Sequence, residues 1–128
     1  MRQTRLNTRW TTLNDEAERN RPASVPQPDL SPGKLRPVLV LAELPGPFED
    51  CLVCGISSQL RHEMPDWDER LTPADADFAT SGLKVPSVIR LNWLAAINSH
   101  TSVGTLGSVA SDRLARLRQR LAAHLSSL

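Results

Sequence analysis

The sequence predicts a small α+β domain, a curled antiparallel β-sheet with one helix packed on it. Three observations carry this. Short aliphatic runs bounded by proline and glycine recur through the middle of the chain, the clearest 3.6-residue period falls at its C-terminal end, and 128 residues leave room for a single compact domain. Hydrophobic residues at 40% and charged residues at 23% are ordinary for a globular protein and exclude a disordered chain, a collagen repeat and a coiled coil. The longest apolar run, Val38 to Ala42, is far below the ~20 residues of a membrane helix. The first residues, Met1 to Asn7, are charged without an apolar core, so no secretory signal is expected. Two cysteines and no signal point to a reducing, cytoplasmic setting. With 15 Lys+Arg against 14 Asp+Glu the net charge is +1, so a polyanion would have to be held by a local cluster.

Residues 1–32 carry five arginines and, between Arg21 and Pro32, four prolines, which forbid a helix there and favour solvated backbone. We expect a poorly ordered segment; a helix over Leu13–Asn20, capped by Thr12, is conceivable but too short to persist alone. The folded unit is expected over residues 33–128. Arg36 to Glu43 is aliphatic, β-branched and too short for a helix, and reads as a buried strand. Leu44 to Asp50 is a turn-rich loop. Cys51 to Ser58 is a second strand, in which Gly55 marks a bulge or a close backbone approach. Residues 59–68 read as an irregular polar loop, Glu69–Thr72 as a short strand, and Thr72 to Asp77 as a capped helical turn. Ser87–Asn92 is a third strand, with weaker strand patterns at Leu94–Ile97 and Ser102–Leu106. The final helix has Ser111 as N-cap and Asp112 in its first turn, with Leu114, Leu117, Leu121 and Leu125 on one stripe flanked by Arg113, Arg116 and Arg120.

Cys51 and Cys54 spell C-x-x-C, but residues three apart in a strand point to opposite faces, and neither a second pair nor suitably spaced histidines complete a metal site. Both read as core residues. Asp66, Asp68, Glu69, Asp75 and Asp77 match no cation-binding loop and read as a solvated face. His62, beside Arg61, could serve as a base in phosphate chemistry, although a single histidine in a polar loop commonly does nothing. Ser57 and Ser58 lack a nucleophile elbow. Arg36 is held extended by Pro37 at a strand entrance, where a guanidinium can meet a phosphorane-like charge; Arg90 projects on a definite strand face. A low aromatic content of 4% argues against a base-stacking sheet of the RRM kind.

Taken as an ordered set, these residues resemble the MazF/PemK family of toxin endoribonucleases. The set comprises Leu35-Arg-Pro-Val-Leu-Val-Leu41, then Cys54-Gly-Ile-Ser-Ser-Gln59, then Gly82-Leu-Lys-Val-Pro-Ser-Val-Ile-Arg-Leu91, a Leu-Gly step at Leu106, and the terminal amphipathic helix. The resemblance implies an SH3-like curled sheet or partial barrel with a C-terminal helix, usually as a homodimer. It implies cleavage of single-stranded RNA (mRNA) without metal or other cofactor, the ribose 2′-hydroxyl attacking the phosphate, and a cognate antitoxin protein as partner. By position, Arg36 and Ser57 would be catalytic. Ser58, Gln59, Arg61 and His62 would line the RNA groove, with Ser87 and Arg90 on a strand beside it.

The family's first strand alternates apolar and polar residues, and members can carry an acid shortly before the arginine. Nothing in residues 1–30 shows that alternation, and Ser31 stands near the acid's place. The expectation is therefore a toxin-like enzyme without the usual first strand, its activity weakened by an atypical N-terminus. The rivals are a non-catalytic protein-binding toxin, as in the CcdB-like gyrase inhibitors of the same fold class, and an inactive remnant.

Overall fold

The computed structural model describes residues 10–14 and 35–128. Among the described residues, six strands make one antiparallel sheet: β1 (Trp10–Asn14), β2 (Leu35–Glu43), β3 (Asp50–Ser57), β4 (Glu69–Leu71), β5 (Ser87–Asn98) and β6 (Ser102–Gly104). Their spatial order is β4-β5-β3-β2-β1-β6, and the sheet curls into a half-barrel. A four-residue helix, α1 (Phe78–Ser81), leads towards β5, and the chain ends in α2 (Ser111–Ser126).

The expected absence of a first strand is overturned. Trp10–Asn14 pairs antiparallel with β2, from Trp10 opposite Leu39 to Asn14 opposite Leu35, and its other edge pairs with β6. Trp, Thr and Thr favour extended backbone, but a strand bonded on both edges is specified by its partners more than by its own alternation. Leu13 and Asn14 thus lie in a strand rather than at the start of a helix. The remainder of segment 1–32 and Ser31 lie outside the described residues.

Period-2 alternation gives the central strands two apolar faces. Leu39, Leu41, Cys54, Ile89 and Leu91 join Val109, Leu114, Leu117 and Leu121 in a core under α2. Val38, Val40, Cys51, Val53 and Ile97 form a second cluster, with Trp93 and Ala95 against it. Cys51 and Cys54 form no disulfide; both are buried, in different clusters, as strand geometry requires. Burial, with the nearby Asp68 charge, pushes the Cys54 thiol far up, so it stays protonated and packs as a small hydrophobe.

Ion pairs fix the helix to the sheet. Arg113, 7% exposed, donates to Asp77 (2.8 Å), Glu69 (2.8 Å) and the Arg70 carbonyl (3.1 Å). Glu69 also accepts from Arg116 and Arg120 at 3.0–3.1 Å. The acidic stretch is therefore not the solvated face that composition suggested. Asp68 and Asp77 are buried, and Asp68 accepts backbone N–H groups of Met64 and Leu91. Nor does Ser111 cap α2: it is the first helical residue, and the Ala110 N–H before it is met by Asp77. Leu114, Leu117 and Leu121 are buried as expected, whereas Leu125 in the last turn is 58% exposed. Gly82 and Gly107 mark a tight crossing behind α1. A Cβ on Gly82 (φ +79°) would meet the Leu106 carbonyl at 2.4 Å, and one on Gly107 would meet the Thr80 carbonyl at 2.1 Å.

Burial alone would raise the Glu69 carboxyl, but the hydrogen bond and charge of Arg116, with Arg113 and Arg120, hold it below the usual carboxylate range. Asp77 is likewise lowered, its burial outweighed by Arg113 and the Ala110 N–H. Lowered carboxyls stabilise the fold above their unfolded values, and that contribution is lost as pH falls through the folded ones. The melting temperature should therefore drop steeply as pH falls below about 4, and Arg113→Met should flatten that slope. In urea titrations the same substitution should cost about 3 kcal/mol, because it strands Asp77 in a buried site.

Candidate active site

β2 enters the sheet at Arg36-Pro37, where the proline keeps the backbone extended. Val38 stands opposite Gly55, and Gly55 stands opposite Arg90 on the far side of β3. Two residues along each strand, on the same face, come Arg36, Ser57 and Val88, with Ser57 paired to Val88. The register alone thus brings two guanidinium-bearing positions and one hydroxyl onto a single face around a residue with no side chain.

That face opens into a cavity of about 710 Å³. All eight residues singled out from the sequence line it: Arg36 and Ser57, the turn residues Ser58, Gln59, Arg61 and His62, and Ser87 and Arg90 from β5. They do not contribute alike. Ser58, Gln59 and Arg61 are exposed at the rim, and the Arg61 guanidinium bonds the Gln59 side-chain carbonyl. Ser87 is 2% exposed, and its hydroxyl donates to the Val85 carbonyl at 2.9 Å. The Nε–H of Arg90 is buried without a hydrogen-bond partner among the described residues. Ser57 is half-buried; its Oγ accepts the Gln59 N–H at 3.0 Å and lies 3.1 Å from His62 Nδ1. The polar loop expected at 59–68 contains a 3-10 turn, Leu60–His62, that brings the histidine back to the strand end.

Trp93 and Lys84 also line the cavity, and sequence reading did not select them. Trp93 reaches the face through an irregularity in β5. Cys54 pairs with Leu94 but Gly55 pairs with Arg90, so Leu91, Asn92 and Trp93 bulge out of the ladder. The bulge is pinned by the Leu91 N–H on Asp68 (2.9 Å) and by Trp67 Nε1 donating to Asn92 Oδ1 (2.8 Å). It also explains why Ser87–Asn92 and Leu94–Ile97 read as separate strands although they form one. The Trp93 ring lies on Gly55, where a Cβ would come within 2.8 Å of Cε3. Gly55 was the available signal, since a close approach needs something to approach. Lys84, in the loop before β5, carries no pattern that marks it.

The lining supplies Arg36, Arg61, Lys84 and Arg90 and, among the described residues, no carboxylate. Such a pocket suits a phosphodiester, which four cations attract and a neutral hydroxyl can bond. No group of described histidine, cysteine, aspartate and glutamate side chains is placed to hold a metal ion. Residues 8–125 match the family model described as the PemK-like, MazF-like toxin of type II toxin–antitoxin systems.

The chain belongs to this family. The match begins ahead of β1 and runs into the last turn of α2, so it takes in the strand that the sequence pattern hid. PemK-like toxins are generally endoribonucleases, and a type II system implies an antitoxin protein as partner. No curated protein matches the chain. Among the described residues no helix is long and apolar enough to cross a membrane.

The Gly55–Trp93 contact is testable. Gly55→Ala should destabilise by about 1–3 kcal/mol, the range for overpacking, and most of that loss should vanish in a Trp93→Ala background. Equal losses in the two backgrounds, measured by urea denaturation, would contradict the contact.

Proposed function

We propose that the protein is an endoribonuclease that cleaves single-stranded RNA, mRNA included, through the RNA's own 2′-hydroxyl. The observation that carries this reading is the cavity in which Arg36, Arg90 and Ser57 share one face of β2, β3 and β5, its lining holding no carboxylate among the described residues. The 2′-hydroxyl gives up its proton as its oxygen attacks the adjacent phosphorus, the bond to the 5′-oxygen breaks, that oxygen takes up a proton and leaves as a hydroxyl, and a 2′,3′-cyclic phosphate remains on the upstream fragment. Negative charge grows on the phosphoryl oxygens along this path. Arg36, fixed by Pro37 at the strand entrance, stabilises that charge, and Ser57 bonds the phosphate. Arg90, from the opposite side of Gly55, neutralises the approaching backbone. The rim residues Ser58, Gln59, Arg61 and His62, with Ser87 shaping the wall from behind, contact the flanking nucleotides or set the width of the groove. In this reading the protein works in the cytoplasm as a homodimer restrained by its antitoxin.

An RNA oligonucleotide should be cut while DNA of the same sequence is not, because DNA lacks the attacking group; cutting should persist in a chelator. Arg36→Ala should lower the rate by roughly 10²–10³, as loss of one charge-stabilising donor does elsewhere, with the melting temperature unchanged. Cleavage of both polymers, or full activity in Arg36→Ala, would overturn the mechanism.

A further inference from the structure

His62 was selected as a groove residue, yet its clearest contact is with a neighbouring side chain. Its Nδ1 lies 3.1 Å from Ser57 Oγ, while the same oxygen accepts the Gln59 N–H at 3.0 Å. Hydrogen-bond accounting then decides what Ser57 can show the cavity. A hydroxyl has one proton and two lone pairs. The Gln59 N–H occupies one lone pair whatever the pH. With a neutral ring whose Nδ1 is unprotonated, the Ser57 proton goes to Nδ1, and only a lone pair is left for a ligand. A phosphate oxygen accepts hydrogen bonds and gives none, so that state of Ser57 has nothing to offer it. With a protonated ring, Nδ1–H donates to Ser57 Oγ, both lone pairs are filled, and the hydroxyl proton must turn outward.

We infer that His62 is a positioning residue that acts through Ser57: its protonation converts the serine from an acceptor into a donor aimed at the phosphate. The inference deepens the ribonuclease reading and rests on it. Among the described residues, the charged groups that line the cavity with the ring are cationic. Arg61 adjoins it on the same turn, and Arg36 from β2, Arg90 from β5 and Lys84 from the loop before β5 line the same cavity. The nearest carboxylate in sequence, Glu63, is engaged by Arg70 at 2.5 Å. Among the described residues that line the cavity, the imidazole is the side chain that can take up a proton at the atom facing Ser57 Oγ, and an anion is what its charged form has to pair with. Proton uptake and phosphodiester binding are linked by this geometry.

The test uses the full chain and an all-2′-deoxy oligonucleotide, which has the phosphates but cannot be cut. At constant ionic strength its affinity should rise roughly tenfold or more between about pH 8 and about pH 5.5, the worth of a charge-assisted contact. His62→Gln, which keeps His100 and His124, should show no such change. Ser57→Ala should show a smaller one, since ring charge then acts without the hydroxyl. At about pH 8, nitrogen NMR of histidine-labelled protein should find His62 protonated at Nε2 and not at Nδ1. Binding that does not depend on pH, a His62→Gln profile that follows the unmodified protein, or an Nδ1–H tautomer would each overturn the inference alone. No binding at either pH would overturn the ribonuclease reading and this inference with it.

Discussion

The register of β3 is the constraint on which the other features depend. This strand lies between β2 and β5, antiparallel to both, and it has an apolar face on each side. Leu52, Cys54 and Ile56 point towards α2, while Cys51, Val53, Gly55 and Ser57 point the other way. A slip of one residue would carry the apolar set of one face to the other, burying Ser57 under the helix and exposing the core. Two clusters with different membership make that slip costly. The same pairing that sorts the aliphatic residues therefore holds Ser57 beside the Arg36 strand and keeps Gly55 between Val38 and Arg90.

Charge is divided between the two sides of the sheet in a way that the net value of +1 conceals. On the helix side, Arg113, Arg116 and Arg120 are met by Glu69, Asp75, Asp77 and Asp112, and Arg118 donates to the Leu41 carbonyl at the β2 bulge. Those carboxylates are used in docking α2. On the other side Arg36, Arg61, Lys84 and Arg90 line a cavity that has no acidic residue among the described ones. A chain with no overall pull on a polyanion can in this way hold a strongly cationic pocket.

The strands β2 and β3, the start of β5 and the terminal helix were legible because each satisfies its period from its own residues: Val38 to Leu41 alternate between two cores, and Leu114, Leu117 and Leu121 repeat as a helix demands. The eight candidate residues line one cavity, because strand register brings Arg36, Ser57, Ser87 and Arg90 together and the turn after β3 adds the other four. Features that depend on distant partners were not legible. β1 is made by its neighbours β2 and β6. The N-cap position of α2 is Ala110 rather than Ser111, and its N–H is met by Asp77, more than thirty residues upstream. The bulge that delivers Trp93 needs Asp68 and Trp67, neither of which announces that role. The hydrogen bond between His62 and Ser57 exists only because a 3-10 turn folds the loop back, and composition had marked the loop as irregular.

The most direct test of the shared-face arrangement is a shift-perturbation titration with a non-cleavable oligonucleotide, following backbone amides and arginine side-chain N–H signals. The expected result is that the Arg36, Ser57 and Arg90 signals move together and saturate at one ligand concentration, while those of Arg113 and Arg116 stay in place. Perturbation confined to α2, with the β2–β3–β5 face unmoved, would contradict it.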